Sequence, residues 1–360
     1  MGFELTFLGS SGGPIDGSTC SILLKPSHIT YEEILSGKLE NQLLIIDAGS
    51  GVASLSETIR NEVKFKKPTS KILSLYTDSL PLEQYFNSEV TTPFIKFPDS
   101  VSPLRHAFDI FKCVKSYLIT HPHMDHICGL VVNSAGFTSS KKIYGSDFTI
   151  DSLQKYILND AIWPNMSRYN VLSLESRDFW TPFAVTDQFT ILMFDICHGN
   201  PAGKTDTFYS SSAFLIQLNS STEYILIIGD FESDIVSKES KNLKIWKHIA
   251  PLIINESRYL KGIVLECSMP NNYRDELYGH MTPEHVIHEL KVLDDECSKL
   301  LPSNSRPLEG LNVIINHVKE PIDGNSDPRR KLMRDLKLMN ESHNLGLKLS
   351  LALTGVSLHV

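Results

Sequence analysis

What the chain lacks narrows the field first. Its six cysteines, Cys20, Cys113, Cys128, Cys197, Cys267 and Cys297, never form a Cys-x-x-Cys pair. Scattered thiols of this kind read as reduced cytosolic residues and speak against a disulfide framework. No apolar run approaches the roughly 20 residues that a membrane-spanning helix needs. The opening residues "MGFELTFLGSSGG" have no basic stretch ahead of a long apolar one, so no secretory signal is expected. Met1-Gly2 with Thr6 fits the loose N-myristoylation pattern, but Phe3, Leu5 and Phe7 alternate as in a first strand, and the strand is the stronger reading. Positive charge is short as well: 34 Lys and Arg against 42 Asp and Glu give a net charge of -8. A phosphate polymer selects basic surfaces, so a nucleic acid is not expected as the main partner; a small anion stays compatible, because a metal can reverse the local sign. Internal repeats and low-complexity tracts are absent too. The expectation is a cytoplasmic globular protein without a membrane partner.

What is present is a rhythm of short apolar runs: "FELTFLG", "NQLLIIDAG", "KSYLITH", "FTILMFDICHG", "SAFLIQL", "EYILIIGD", "KGIVLEC", "LNVIINHV" and "LKLSLAL". Helical patterns lie between and after them. Following "GHMTP", Val286, Leu290, Leu293, Cys297 and Leu300 share one face, with Thr282 as N-cap and Pro283 in the first turn. A second helix starts at Asp327-Pro328, carries Leu332, Leu336 and Met339 inward and stops near Gly346. This order predicts sheet packed on sheet with helices outside, as one 1–360 domain. Residues 54–115, with "VKFKKPTSK" and several Ser/Thr/Pro clusters, interrupt the rhythm and read as an insertion whose lysines form a solvated face.

The densest chemistry is "LITHPHMDHICGL", residues 118–130. Alternate residues at a strand end point the same way, so His121 and His123 can chelate one ion, while Asp125 and His126 face a second position. Two ions need further ligands at the same edge. His198, Asp230 and His317 each close an apolar strand, where site residues collect. Asp230 can bridge, giving His121, His123, His198 and Asp230 for one ion and Asp125, His126, His317 and Asp230 for the other. Histidine and carboxylate without cysteine favours two Zn²⁺, although the donors also suit Mn²⁺ or iron. Cys128 and Cys197 adjoin ligands and read as packing residues, and His285 and His288 as structural or exposed.

"THPHMDH", with its distant His, Asp and His, resembles the metallo-β-lactamase superfamily. That resemblance implies an α+β fold, the αββα sandwich of two mixed sheets with outer helices, and a dinuclear metal centre. "LLIIDAGSG" is similar to that superfamily's early aspartate motif, which implies that Asp47 is not a ligand but orients the metal loop by hydrogen bonding. "ITHPHMDHICGLVVNSAG", "FLGSSGGP", "KKIYG" with "AIWPNM", "IIGDFESD" and "YGHMTPEHVIHEL" are similar, in consistent order from residue 7 to about 318, to the class II cyclic-nucleotide phosphodiesterases, the fungal low-affinity cAMP group. Met124 and Ala135 depart from the usual pattern, but neither is a proposed ligand.

The resemblance implies hydrolysis of 3',5'-cyclic nucleotides, cAMP and also cGMP, to 5'-monophosphates by a hydroxide that two zinc ions activate. His280 in "GHMTP" is the candidate acid for the leaving 3'-oxygen, with Glu266 keeping it protonated. The resemblance also implies a catalytic role for Asp125 beside its metal role. Gly12 and Gly13 are expected to form a tight turn that lets backbone approach the phosphate, and Thr282 and Trp163 are further candidates for substrate contact, Trp163 by stacking on a purine. A homodimer is compatible with this architecture. The rival readings are a tRNA 3'-end endonuclease, which the charge disfavours, a thioester or β-lactam hydrolase, which gives "GHMTP" no task, and a module that binds cyclic nucleotides without cleaving them.

Overall fold

Strands that are apolar on both faces need cover on each side. In β1 (Phe3–Gly9), Phe3, Leu5 and Phe7 join one buried cluster while Leu8 joins another. The same period-two split divides Ile22 and Leu24 from Leu23 in β2 (Ser21–Pro26), and Leu44 and Ile46 from Ile45 in β3 (Leu44–Ala48). The first cluster fills the space between the two sheets and continues beneath the helices outside the second sheet; the second lies between the first sheet and its outer helices. The computed structural model describes residues 2–37, 39, 41–200, 209–271, 277–302 and 305–360.

From edge to edge the first sheet runs β4 (Glu89–Thr91), β15 (Ser357–His359), β1, β2, β3, β5 (Ser116–Leu118), β6 (Lys141–Gly145) and β7 (Leu172–Ser176). The second runs β14 (Lys348–Leu351), β13 (Asn312–Asn316), β12 (Leu260–Glu266), β11 (Glu223–Ile228), β10 (Ser210–Leu218), β9 (Phe189–Cys197) and β8 (Phe183–Ala184). Helices α1 (Tyr31–Leu35), α2 (Val52–Phe65), α3 (Pro103–Cys113), α4 (Met124–Ser134) and α5 (Asp147–Ser152) accompany the first sheet. Helices α6 (Asp234–Ser237), α7 (Lys241–Ile254), α8 (Pro283–Ser298) and α9 (Pro328–Ser342) accompany the second. Both sheets are mixed, and the architecture is the αββα sandwich. Among the described residues, no helix is long and apolar enough to cross a membrane.

Strand direction places the site. β3, β5, β6 and β7 are mutually parallel, as are β11, β12, β13 and β14. β9 and β11 are each antiparallel to β10, so they share a direction. The carboxyl ends of β9, β11, β12 and β13 therefore gather at one rim of the second sheet, the location where open parallel sheets place their ligands.

Two helix ends differ from the sequence reading. α8 buries Val286, Leu290, Leu293 and Cys297 as expected but ends at Ser298, leaving Leu300 outside the helix and exposed. α9 starts at Pro328, with Asp327 as its cap, and stops at Ser342 rather than near Gly346, because Asn340 turns its side chain to both Leu347 N and Leu347 O. Residues 54–115 hold most of α2, two 3-10 turns, β4 and α3; β4 pairs with β15 and α2 lies against α3. Lys64, Lys66 and Lys67 are exposed.

Candidate metal centre

β5 ends at Leu118, and the chain runs on through His121 and Pro122 to His123, the N-cap residue of α4. Asp125 and His126 therefore stand on the first turn of a helix. Ile127, Leu130 and Val131 bury one face of that segment, and α4 packs on β3. His198 directly follows β9, Asp230 lies two residues past β11, and His317 directly follows β13. His317 has a left-handed backbone (φ +58°), and Gly12 packs so closely that a Cβ there would stand 2.5 Å from the imidazole.

These strand ends bring seven side chains together. In the first group, His123 Nδ1 lies 3.0 Å from His121 Nε2 and 3.3 Å from His198 Nε2, and Asp230 Oδ2 is 3.8 Å from both of the latter nitrogens. In the second, His317 Nε2 lies 3.2 Å from Asp125 Oδ2 and 3.0 Å from Asp230 Oδ2, while His126 Nε2 lies 3.8 Å and 3.3 Å from the same two carboxylates. Donors 2.0–2.2 Å from a tetrahedral ion stand roughly 3.3–3.6 Å apart, so both groups have the span of a zinc shell. Asp230 belongs to both groups.

Hydrogen bonds behind these histidines orient their rings. His126 Nδ1 donates to Asp47 Oδ2 (2.7 Å) and His198 Nδ1 to the Gly279 carbonyl (2.9 Å). His317 Nδ1 donates to Ser268 Oγ (2.9 Å), whose own proton goes to Glu266. Thr120 Oγ1 donates to Asp47 and accepts from His121 Nδ1 (3.0 Å). Each arrangement leaves an Nε2 lone pair aimed at its group, the tautomer a metal requires. His126 Nε2 is buried without a hydrogen bond, and in the first group three imidazole nitrogens converge. Only a cation makes that convergence favourable, so the residues present fit metal ions.

Electrostatics agree. Burial pushes His121, His123 and His198 down, His198 to about 4, so these rings are neutral as ligands must be. Burial opposes charge on His126 and His317 too, but Asp230 and its neighbouring carboxylates outweigh it, raising His126 well above its ordinary value and His317 to about 9. In spite of burial, the histidines hold Asp125 and Asp230 far below the usual carboxylate range. The second group thus calls for positive charge in its midst. Beside the two groups, His280 Nδ1 bonds Glu266 at 3.0 and 3.1 Å and lies 3.8 Å from Asp230 Oδ2. Glu266 also accepts from Phe231 N and Met281 N, and its carboxyl is lowered despite burial because His280 faces it.

The family model of the class-II cAMP phosphodiesterases matches residues 32–355. A 3',5'-cyclic-nucleotide phosphodiesterase of Candida albicans is 40% identical, with all of both chains covered. The chain belongs to the class-II cAMP phosphodiesterases. The crystal structure of unliganded yeast PDE1 is similar at a TM-score of 0.83 and 30% identity, over 100% of this chain and 99% of that one. The metallo-β-lactamase fold protein YhfI from Bacillus subtilis, 14% identical with a TM-score of 0.55 over both full lengths, shares the fold alone.

In this class-II phosphodiesterase the remaining sequence candidates fare unevenly. Trp163 is not at the site: its indole donates to Ser134 Oγ, at the far end of α4, about 14 Å along the helix from Asp125. Its ring packs in the outer cluster, so the stacking role is withdrawn. Gly12 and Gly13 do make a tight turn, but Gly12 N is bonded to Val318 O and Gly13 N to Ser11 Oγ, so neither amide is free for a phosphate. The need for glycine at 12 comes from the His317 ring. Thr282 is buried with its hydroxyl on His285 Nδ1 rather than facing substrate. Cys197 is buried as expected, whereas Cys128 is exposed on α4 and does not pack. Two residues with no sequence signal join the centre. Ser268 links Glu266 to His317, and the Tyr209 ring stacks on His123 at 4.4 Å with Phe148 edge-on beyond it.

Proposed function

We propose that the chain hydrolyses 3',5'-cyclic nucleotides, cAMP and also cGMP, to nucleoside 5'-monophosphates at a dinuclear Zn²⁺ centre. The observation that carries this reading is the pair of four-donor groups sharing Asp230, with the His280–Glu266 pair beside them. His121, His123, His198 and Asp230 would hold one ion, and Asp125, His126, His317 and Asp230 the other. Bound there, the ions would generate a nucleophile from water at neutral pH and neutralise charge on the phosphate.

The chain's own groups do the rest. Asp47 and Thr120 hold His126 and His121 in the liganding tautomer. Glu266 fixes the His280 ring through Nδ1, leaving Nε2 to deliver a proton to the departing 3'-oxygen, which is a poor leaving group as a bare alkoxide. Breaking the 3' P–O bond opens the ring and leaves the phosphate on the 5' carbon. A cytoplasmic setting, where the enzyme lowers cyclic-nucleotide signals, fits six free thiols.

Metal analysis and cyclic AMP hydrolysis on purified protein, before and after chelation, test the reading. About two equivalents of zinc and activity lost on chelation and restored by zinc are expected; His123→Ala and Asp230→Ala should lose metal and activity together. Full activity in metal-stripped protein would refute it.

A further inference from the structure

We propose that a cleft beside the metal centre receives the base and ribose of the cyclic nucleotide, and that Tyr76 and Tyr85 are positioning residues that hold its wall. This rests on the cyclic-nucleotide reading above. The cleft has a volume of about 660 Å³, within the roughly 300–1,000 Å³ of small-molecule sites. Gly12 and Ser268 line it and both touch His317, so it opens directly from the second group of ligands. Another cavity against the ligands, bordered by Cys20, Asp47 and His126, is about 10 Å³ and has room for no more than a water.

Three backbone bonds stitch the cleft's base: Gly12 N to Val318 O (3.1 Å), Glu320 N to Gly13 O (2.9 Å) and Lys319 N to Ser268 O (3.3 Å). Met269, Pro270, Pro321 and Ile322 supply apolar surface, and Lys319 and Lys331 supply donors. That mixture suits a heterocycle with polar edges. Ile322 stands 97% exposed at the rim.

The wall is fixed from far away in sequence. Arg329 is wholly buried between Glu320 and Asp327. The Tyr76 hydroxyl donates to Glu320 (2.5 Å) and the Tyr85 hydroxyl to Asp327 (2.6 Å). Hydroxyls from the 54–115 segment thus pin both ends of the turn that carries Ile322.

The test uses the metal-loaded full chain and two substrates, cyclic AMP and the nucleoside-free diester bis(p-nitrophenyl) phosphate. Ile322→Glu, altering a side chain already in solvent, and the Tyr76→Phe/Tyr85→Phe double variant are each expected to raise KM for cyclic AMP roughly tenfold. Hydrolysis of the small diester should shift far less, and binding of 5'-AMP at equilibrium should weaken in parallel. An unchanged KM in Ile322→Glu, or equal losses on both substrates, would overturn the cleft assignment. So would a tenfold rise from Phe148→Ala, beyond His123, with none from Ile322→Glu. An effect of Ile322→Glu without one from the tyrosines would overturn their positioning role. A parent enzyme that cleaves the small diester but not cyclic AMP would overturn the substrate reading and this proposal with it.

Discussion

His280 and Ser268 sit within hydrogen-bonding reach of the same carboxylate, yet they should fail differently. His280 is committed to Glu266 through one nitrogen and stays outside both groups of four, so His280→Ala should retain both metals by elemental analysis. Its kcat on cyclic AMP should fall roughly a hundredfold or more. Ser268 fixes His317 from behind, so Ser268→Ala should instead weaken metal binding about 10- to 100-fold, read by competition with a chromogenic chelator. The seven side chains that converge could be picked out because metals demand histidine and carboxylate, and because an apolar run ending in such a residue is uncommon. Ser268 and Tyr209 were not, since serine and tyrosine are ordinary on any surface and acquire meaning only from the rings they meet across the fold.

At the scale of elements, α2 carries an uncompensated acid. Glu62 is buried, accepts from Phe94 N at 2.8 Å and has no hydrogen-bond partner for its other oxygen. Burial, reinforced by Glu4, pushes its carboxyl up to about 8. The folded state therefore holds this proton more tightly than the unfolded chain does. The stability it lends is complete below the unfolded value near 4.5 and drains away as pH rises through about 8, with a slope up to about 1.4 kcal/mol per pH unit. Glu62→Gln keeps the bond to Phe94, so urea unfolding of variant and parent should diverge in the variant's favour between pH 5 and 8 (roughly, from the same linkage). Elements were read from sequence where both faces are covered, since continuous apolar runs result. β2 leaves a weaker trace because Lys25 interrupts the apolar run of "SILLKP"; in the fold it is buried against Glu4 at 2.8 Å. β4 and β8 are short edge strands of three and two residues and leave no periodicity to read.

Across the whole molecule, the buried Arg329 network joins segments more than 240 positions apart, with Tyr76 at one end and Glu320 at the other. Arg329→Ala would strand Glu320 and Asp327 in the interior, and a loss of about 3–5 kcal/mol is expected, measured as a lower urea midpoint at unchanged slope. Closure of the first sheet is equally long-range. β15 lies between β4 and β1, and Val360 exchanges backbone hydrogen bonds with Phe3 in both directions. A nascent chain emerging from the ribosome consequently carries an open gap in that sheet, with β1 and β4 each wanting a neighbour, until β15 has been made. Translation speed and chaperone cover matter most in that interval, because an exposed strand edge waiting for its mate is the surface on which chains stick to one another.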